Sequence, residues 1–150
     1  MMDESKRAKH RALYLLERCD RTEQELRSKL SRNYTEEIVE EAIAYVKQYH
    51  YIDDERYAIN YLNRKGSLKS RRQTEQELLY KKGISRAVLE RACQEAQLQD
   101  ERELIRRWME KKRISSQSAT REELRRFYAF LVRRGFRSED ILSELRHPEF

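Results

Sequence analysis

Apolar residues return every three or four positions through most of the chain. Ile38, Ala42, Tyr45, Val46 and Tyr49 fall on one face, Leu89, Ala92, Cys93 and Ala96 on a second, and Leu124, Phe127, Tyr128, Leu131 and Val132 on a third. That spacing is the helical period, and each stripe reads as a face turned to a core. With the turn residues as punctuation, the pattern predicts helices over 5–18, 22–32, 35–50, 53–65, 70–82, 85–97, 100–112, 120–134 and 138–146. Three glycines and one proline are too few breakers for the turns of a sandwich, barrel or doubly wound sheet. The expected fold class is all-α.

The punctuation itself recurs. Thr22-Glu23-Gln24-Glu25-Leu26 returns as Thr74-Glu75-Gln76-Glu77-Leu78, and a third, looser copy is Thr120-Arg121-Glu122-Glu123-Leu124. In each, Thr precedes Glu by three residues, the spacing at which hydroxyl and carboxylate satisfy each other's backbone N–H groups at a helix start. Asp54-Glu55-Arg56 and Asp100-Glu101-Arg102 open helices, and Lys82-Gly83-Ile84-Ser85 and Arg134-Gly135-Phe136-Arg137-Ser138 close them, with Gly ending one helix and Ser capping the next. Asn33-Tyr34-Thr35 is expected to make the same turn in the first copy, with Asn in the left-handed conformation. A period near 50 predicts three tandem three-helix repeats, residues 1–52, 53–99 and 100–150, stacked into an elongated, curved array. The Ser-rich stretch Ile114 to Ala119 is expected to be a mobile linker.

Charge sharpens the picture. Lys and Arg number 33 against 27 Asp and Glu, a net charge of +6. Residues 1–52 balance at 10 and 10, whereas 53–99 carry 10 basic and 7 acidic residues and 100–150 carry 13 and 10. Arg64, Lys65, Lys69, Arg71 and Arg72 form one cluster; Arg106, Arg107, Lys111, Lys112 and Arg113 form another; Arg125, Arg126, Arg133, Arg134 and Arg137 form a third. Lys81 and Lys82 join the candidate contacts beside Gly83. Clusters on successive repeats point to a polyanion or an acidic protein groove. At 100° per residue, Arg126, Phe130 and Arg133 lie opposite Leu124, Tyr128 and Leu131, so Phe130 is expected to face away from its own core and to seek a partner.

Catalysis finds no foothold. The sequence has no phosphate-cradling glycine loop, no HExxH and no GxSxG. Asp53, Asp54 and Glu55 read as helix-start acids that complement the dipole, and His10, His50 and His147 are scattered without ligand partners. Cys19 and Cys93, 74 residues apart, read as buried or half-buried thiols without a disulfide or redox role. The longest apolar run, Phe127 to Val132, is far short of a membrane span of about 20 residues. No enzyme activity, cofactor or metal is expected, and a cytoplasmic monomer is. Tyr45, Tyr49, Tyr51, Tyr57 and Tyr61 are expected to be half-buried packing residues.

Taken together, Thr22 to Leu26, Tyr51-Ile52-Asp53-Asp54-Glu55-Arg56-Tyr57-Ala58, Leu79-Tyr80-Lys81-Lys82-Gly83-Ile84-Ser85 and Phe130-Leu131-Val132-Arg133-Arg134-Gly135-Phe136 resemble the RecX family of bacterial RecA regulators over about residues 10–146. The resemblance implies three tandem three-helix units and a protein that binds in the groove of the RecA nucleoprotein filament. It further implies contact with more than one RecA protomer and lowered ATP hydrolysis, strand exchange and repressor cleavage. One departure stands out: the family often has an apolar residue early in the fifth helix, and Ser70 to Glu77 contains none. An independent module for single-stranded or duplex DNA is the alternative reading of the cationic residues.

Overall fold

The computed structural model describes residues 3–64 and 68–146. Among them the chain is helical without strands: α1 Glu4–Arg18, α2 Glu23–Leu30, α3 Glu36–Gln48, α4 Asp54–Leu62, α5 Arg71–Gln76, a π-helical stretch Glu77–Lys81, α6 Arg86–Glu95, α7 Glu101–Lys112, α8 Arg121–Arg133 and α9 Ser138–Leu145. No helix among the described residues is long and apolar enough to cross a membrane.

Packing divides the chain into two compact units, Met1–Tyr61 with Glu77–Ala96 and Leu62–Gln76 with Gln97–Phe150. In the first, α1 and α3 pack along each other and α2 touches both. Its core holds Ala8, Ala12, Leu15, Leu26, Leu30, Val39, Ala42, Ile43 and Val46. The alanines on α1 and α3 let these helices approach closely. In the second unit α7 and α8 both pack on α9, around Leu104, Ile105, Trp108, Leu124, Phe127, Leu131, Phe136, Ile141 and Leu145.

Each unit contains the same polar joint. Thr22 caps α2 by accepting from the Glu25 N–H at 3.2 Å, and its hydroxyl donates to the Lys82 carbonyl at 2.6 Å. In the other unit Ser70 accepts from the Gln73 N–H at 3.1 Å and donates to the Arg134 carbonyl at 2.6 Å. Both hydroxyl residues are fully buried. One oxygen thereby satisfies an orphan donor at a helix start and an orphan acceptor at the end of a different helix. The next amide in each case is met by an acid: Asp54 accepts from the Glu23 N–H at 2.9 Å, and Glu101 accepts from the Arg71 N–H at 2.7 Å. Immediately after each accepting carbonyl stands a glycine with positive φ, Gly83 at 73° and Gly135 at 92°. A side chain on Gly83 would run into Gln24, and one on Gly135 would meet the Ser70 Oγ at 2.8 Å. The joint therefore needs glycine for room as well as for conformation.

This joint corrects the reading of the second Thr-Glu-Gln-Glu-Leu copy. Thr74 does not cap; it lies one turn inside the helix, bonded to the Ser70 carbonyl at 3.1 Å. Ser70 takes the position of Thr22, and the full reciprocal capping box forms only at Thr22 and Glu25 among these starts. Glu77, the acid of the second copy, is buried and accepts from the Tyr61 hydroxyl at 2.5 Å. The π-helical widening there lets the consecutive residues Glu77 and Leu78 both turn inward. The fifth helix therefore does not depend on an apolar residue over Ser70 to Gln76: its start is held by buried hydrogen bonds.

Other expectations shift. The buried face of α3 is Val39, Ala42, Ile43 and Val46, one position round from the stripe drawn through Ile38, Tyr45 and Tyr49. Tyr49 and Tyr51 are 53% and 51% exposed, stacked on each other with ring centroids 6.0 Å apart. Val132 is also exposed, and Cys19 lies at the surface while Cys93 is half-buried. Asn33 is not left-handed; among non-glycine described residues His50, Arg113 and Arg146 are. Ser138 does not cap α9, and its Oγ instead lies 2.9 Å from the Tyr128 hydroxyl. Ile114 and Ala119 rest on the second core, and the Ala119 N–H donates to the Ser115 carbonyl at 2.8 Å. The Ser-rich stretch is thus a closed turn.

Because the joint needs a hydroxyl that both accepts and donates, an ordinarily good cap should fail in it. Thr22→Asp is expected to lose about 1–3 kcal/mol in urea unfolding, since a carboxylate leaves the Lys82 carbonyl unpaired, whereas Thr22→Ser should stay near wild type. Thr74→Ala is expected to change stability by less than about 0.5 kcal/mol. A large loss there would restore Thr74 as the cap.

Candidate functional site

In the second unit an open cleft of about 650 Å³ runs between α5 and the end of α8. Arg72, Gln73, Gln76, Phe130, Arg133 and Arg134 line it, with Val132 and Gly135. None of these is acidic. Arg72 is set on this wall by the Ser70 joint, because its Cβ and Cδ lie against the bare face of Gly135. The groove continues past Val132 and Gly135 into a second concavity that is mixed in charge, with Arg71 and Arg137 among Glu75, Glu101, Glu139 and Asp140.

Phe130 does not stand away from its core. It meets Trp108 of α7 edge-on, ring centroids 4.9 Å apart, and stacks on Phe127. The large indole reaches under α8, and its N–H is satisfied by the Leu68 carbonyl at 2.7 Å. Cations cover the outward side of this aromatic pair. The Arg134 guanidinium sits 4.6 Å from the Phe130 centroid and 4.8 Å from that of Trp108. Lys112 lies 4.8 Å from Phe130, and Lys111 lies 5.3 Å from Trp108. Such stacking holds a cation in place at about 0.5–2 kcal/mol without neutralising it. Lys111 and Lys112 are in the last turn of α7, and Arg133 and Arg134 end α8, where the helix dipole favours positive charge.

The remaining sequence-selected cations divide by partner. Arg71 pairs with Glu75 at 3.0 Å, Arg106 with Glu144 at 2.8 Å, Arg107 with Glu103 at 3.4 Å and Arg126 with Glu122 at 2.7 Å. Exposed pairs of this kind contribute about 0.2–1 kcal/mol each, but they cancel the local field. Arg64 is exposed and its carbonyl accepts from the Gln99 side chain; Lys69 is exposed, and Arg113 is the left-handed cap of α7. Lys65 lies outside the described residues. Lys81 and Lys82 belong to the first unit. Burial disfavours the charge on Lys82, but Glu25, 3.4 Å away, and Tyr57 more than offset this and hold its pKa above the usual lysine value. Arg72, Phe130, Arg133 and Arg134 therefore come together on one wall, with Lys111 and Lys112 on the same aromatic pair. Sequence reading missed Trp108, Gln73 and Gln76; the one tryptophan, set in a run of cations, was the available signal for the first. Among the described residues no group of three or more His, Cys, Asp or Glu could hold a metal ion.

Glu101 joins the groove to the joint. Burial pushes its carboxyl above the ordinary range, the Arg71 N–H opposes this, and Asp140 adds to it. Asp54, its counterpart in the first unit, is raised by burial in the same way.

The first three-helix domain of RecX matches residues 8–45 and the third matches 99–143. A regulatory protein RecX of Caldanaerobacter subterraneus is 36% identical over 92% of this chain and 68% of its own length. One from Salmonella paratyphi B is 34% identical over 87% and 85%. The crystal structure of RecX from Lactobacillus salivarius superposes with a TM-score of 0.81 at 25% identity, covering 97% of both chains.

A carboxyl raised on folding contributes stability below the ordinary Glu pKa and loses that contribution as pH rises through the folded value. Glu101→Gln keeps an acceptor for the Arg71 N–H and removes the titration. Its urea midpoint relative to wild type is expected to rise between about pH 4 and about pH 7. A relative fall over that window would show that the carboxylate is favoured by folding.

Proposed function

The chain belongs to the RecX family, and on that premise we propose that it is a negative regulator of the RecA recombinase that binds in the groove of the RecA nucleoprotein filament. The observation that carries the reading is the acid-free wall of Arg72, Arg133 and Arg134 beside Lys111 and Lys112. These charges lie on rigid helix ends, several within about one Debye length, roughly 8–10 Å, of each other. A fixed cationic wall of this kind suits a repeating acidic surface, and it gains affinity through many modest contacts. On this reading the chain acts as a cytoplasmic monomer, by binding and without a chemical step. Its three tandem repeats, 1–52, 53–99 and 100–150, engage successive protomers.

Two modes of action follow from filament binding and differ in stoichiometry. Blocking the growing end works far below one molecule per protomer, and coating the groove requires near-equal amounts. The same acid-free wall supports a second reading, in which the chain binds DNA on its own. Affinity would then fall steeply with salt, by about 0.7 in log K per log salt for each phosphate neutralised on a single strand.

Titrating RecA's DNA-dependent ATP hydrolysis with the protein tests the proposal. Wild type is expected to inhibit, and Arg72→Glu with Arg133→Glu is expected to weaken inhibition about tenfold or more, with helicity unchanged. Absence of inhibition by wild type at any ratio would remove the filament reading.

A further inference from the structure

The first unit carries a cationic surface that its balanced charge count hides. On α1, Arg7, Arg11, Tyr14 and Arg18 fall within about 60° of one another and are all exposed, Tyr14 at 45%. The row is about 16 Å long at the helical rise. The Arg11 and Arg18 guanidiniums lie over the Tyr14 ring, 5.2 and 5.5 Å from its centroid, and Arg18 donates to the Tyr14 hydroxyl at 2.7 Å. Glu4 and Glu17 border the row, yet among the described residues no carboxylate pairs with any of its three arginines. Other acids of the segment are taken elsewhere: Glu23 and Glu40 by Arg27, and Glu41 by Lys9.

We propose that this row is a binding strip for single-stranded nucleic acid, separate from the cleft of the second unit. Unlike the cleft of the second unit, which holds Phe130 and Val132, the row has no apolar centre to anchor a protein partner: its single ring already carries two guanidiniums. A polyanion needs only regularly placed, unneutralised cations, because release of its counterions supplies the affinity. Single strands are favoured over duplex because guanidinium planes present flat faces to unpaired bases, which a duplex keeps stacked inside. Arg11 and Arg18 are held against Tyr14, so little of their side-chain freedom is lost on binding.

The test uses the full chain, a labelled oligothymidine and no RecA, so its outcome is independent of the filament reading. Wild type is expected to bind, with log K falling linearly in log salt. The triple variant Arg7→Gln, Arg11→Gln, Arg18→Gln is expected to lower that slope by about 2, three phosphates at roughly 0.7 each, with unchanged circular dichroism. The triple Arg→Lys variant should keep the slope and bind more weakly. Tyr14→Ala, which frees Arg11 and Arg18, should weaken binding to a single strand more than to a duplex of equal length. No binding by wild type, or an unchanged slope in the glutamine variant, would overturn the proposal. Equal losses on duplex and single strand would overturn the single-strand assignment.

Discussion

Two buried hydroxyls do what a hydrophobic contact does in most small helical proteins: they fix where one helix begins relative to where another ends. Thr22 and Ser70 each take an amide from their own helix and give a proton to the last carbonyl before a glycine. An unpaired carbonyl in such a place costs about 1–3 kcal/mol, a large share of the stability of a small domain. The geometry is therefore held far more narrowly than apolar packing would hold it. A chain that is 38% hydrophobic and 40% charged has limited core to spend on orientation, and directional bonds supply what the core does not. Each joint also recruits an acid, Asp54 or Glu101, onto the following amide, at the expense of partly burying a carboxylate.

The electrostatic surface follows from that frame. Ser70 sets α5 against the Arg134–Gly135 turn, and this places Arg72 on the same wall as Arg133 and Arg134. Around the wall, cations have one of two fates. Arg71, Arg106, Arg107 and Arg126 are answered by carboxylates, three of them by one four residues away on the same helix. Lys111, Lys112 and Arg134 are held on the rings of Trp108 and Phe130. The first group keeps the helices soluble with little outward field. The second projects charge from a fixed position, which is what a binding surface needs.

Helices were legible in the sequence because their signals are local. Period, caps and glycines gave every helix to within a few residues, from Asp54 and Asp100 at the starts to Gly83 and Gly135 at the ends. What was not legible depends on a second segment. The repeated pentapeptide pointed to Thr74 as a cap, but the capping position is defined by the distant carbonyl of Arg134, which chooses Ser70. Helical projection put Phe130 outside its core because a projection of α8 cannot see Trp108 on α7. Cation clusters drawn along the sequence likewise mixed paired and unpaired residues, since Arg106 is answered by Glu144, 38 residues later. The α1 row escaped notice for the opposite reason: a segment total of zero conceals segregation of charge between helix faces.

One hydroxyl, that of Ser70, sets the wall on which Arg72 stands, and the inhibitory strength of two Ser70 variants tests that link most directly. RecA ATP hydrolysis would be titrated with Ser70→Thr and with Ser70→Asp at a temperature where both are folded by circular dichroism. The expected result is near-wild-type inhibition from the threonine protein and markedly weaker inhibition from the aspartate protein, whose helix start no longer holds Arg72 beside Arg133 and Arg134. Full inhibition by a folded Ser70→Asp protein would contradict the account.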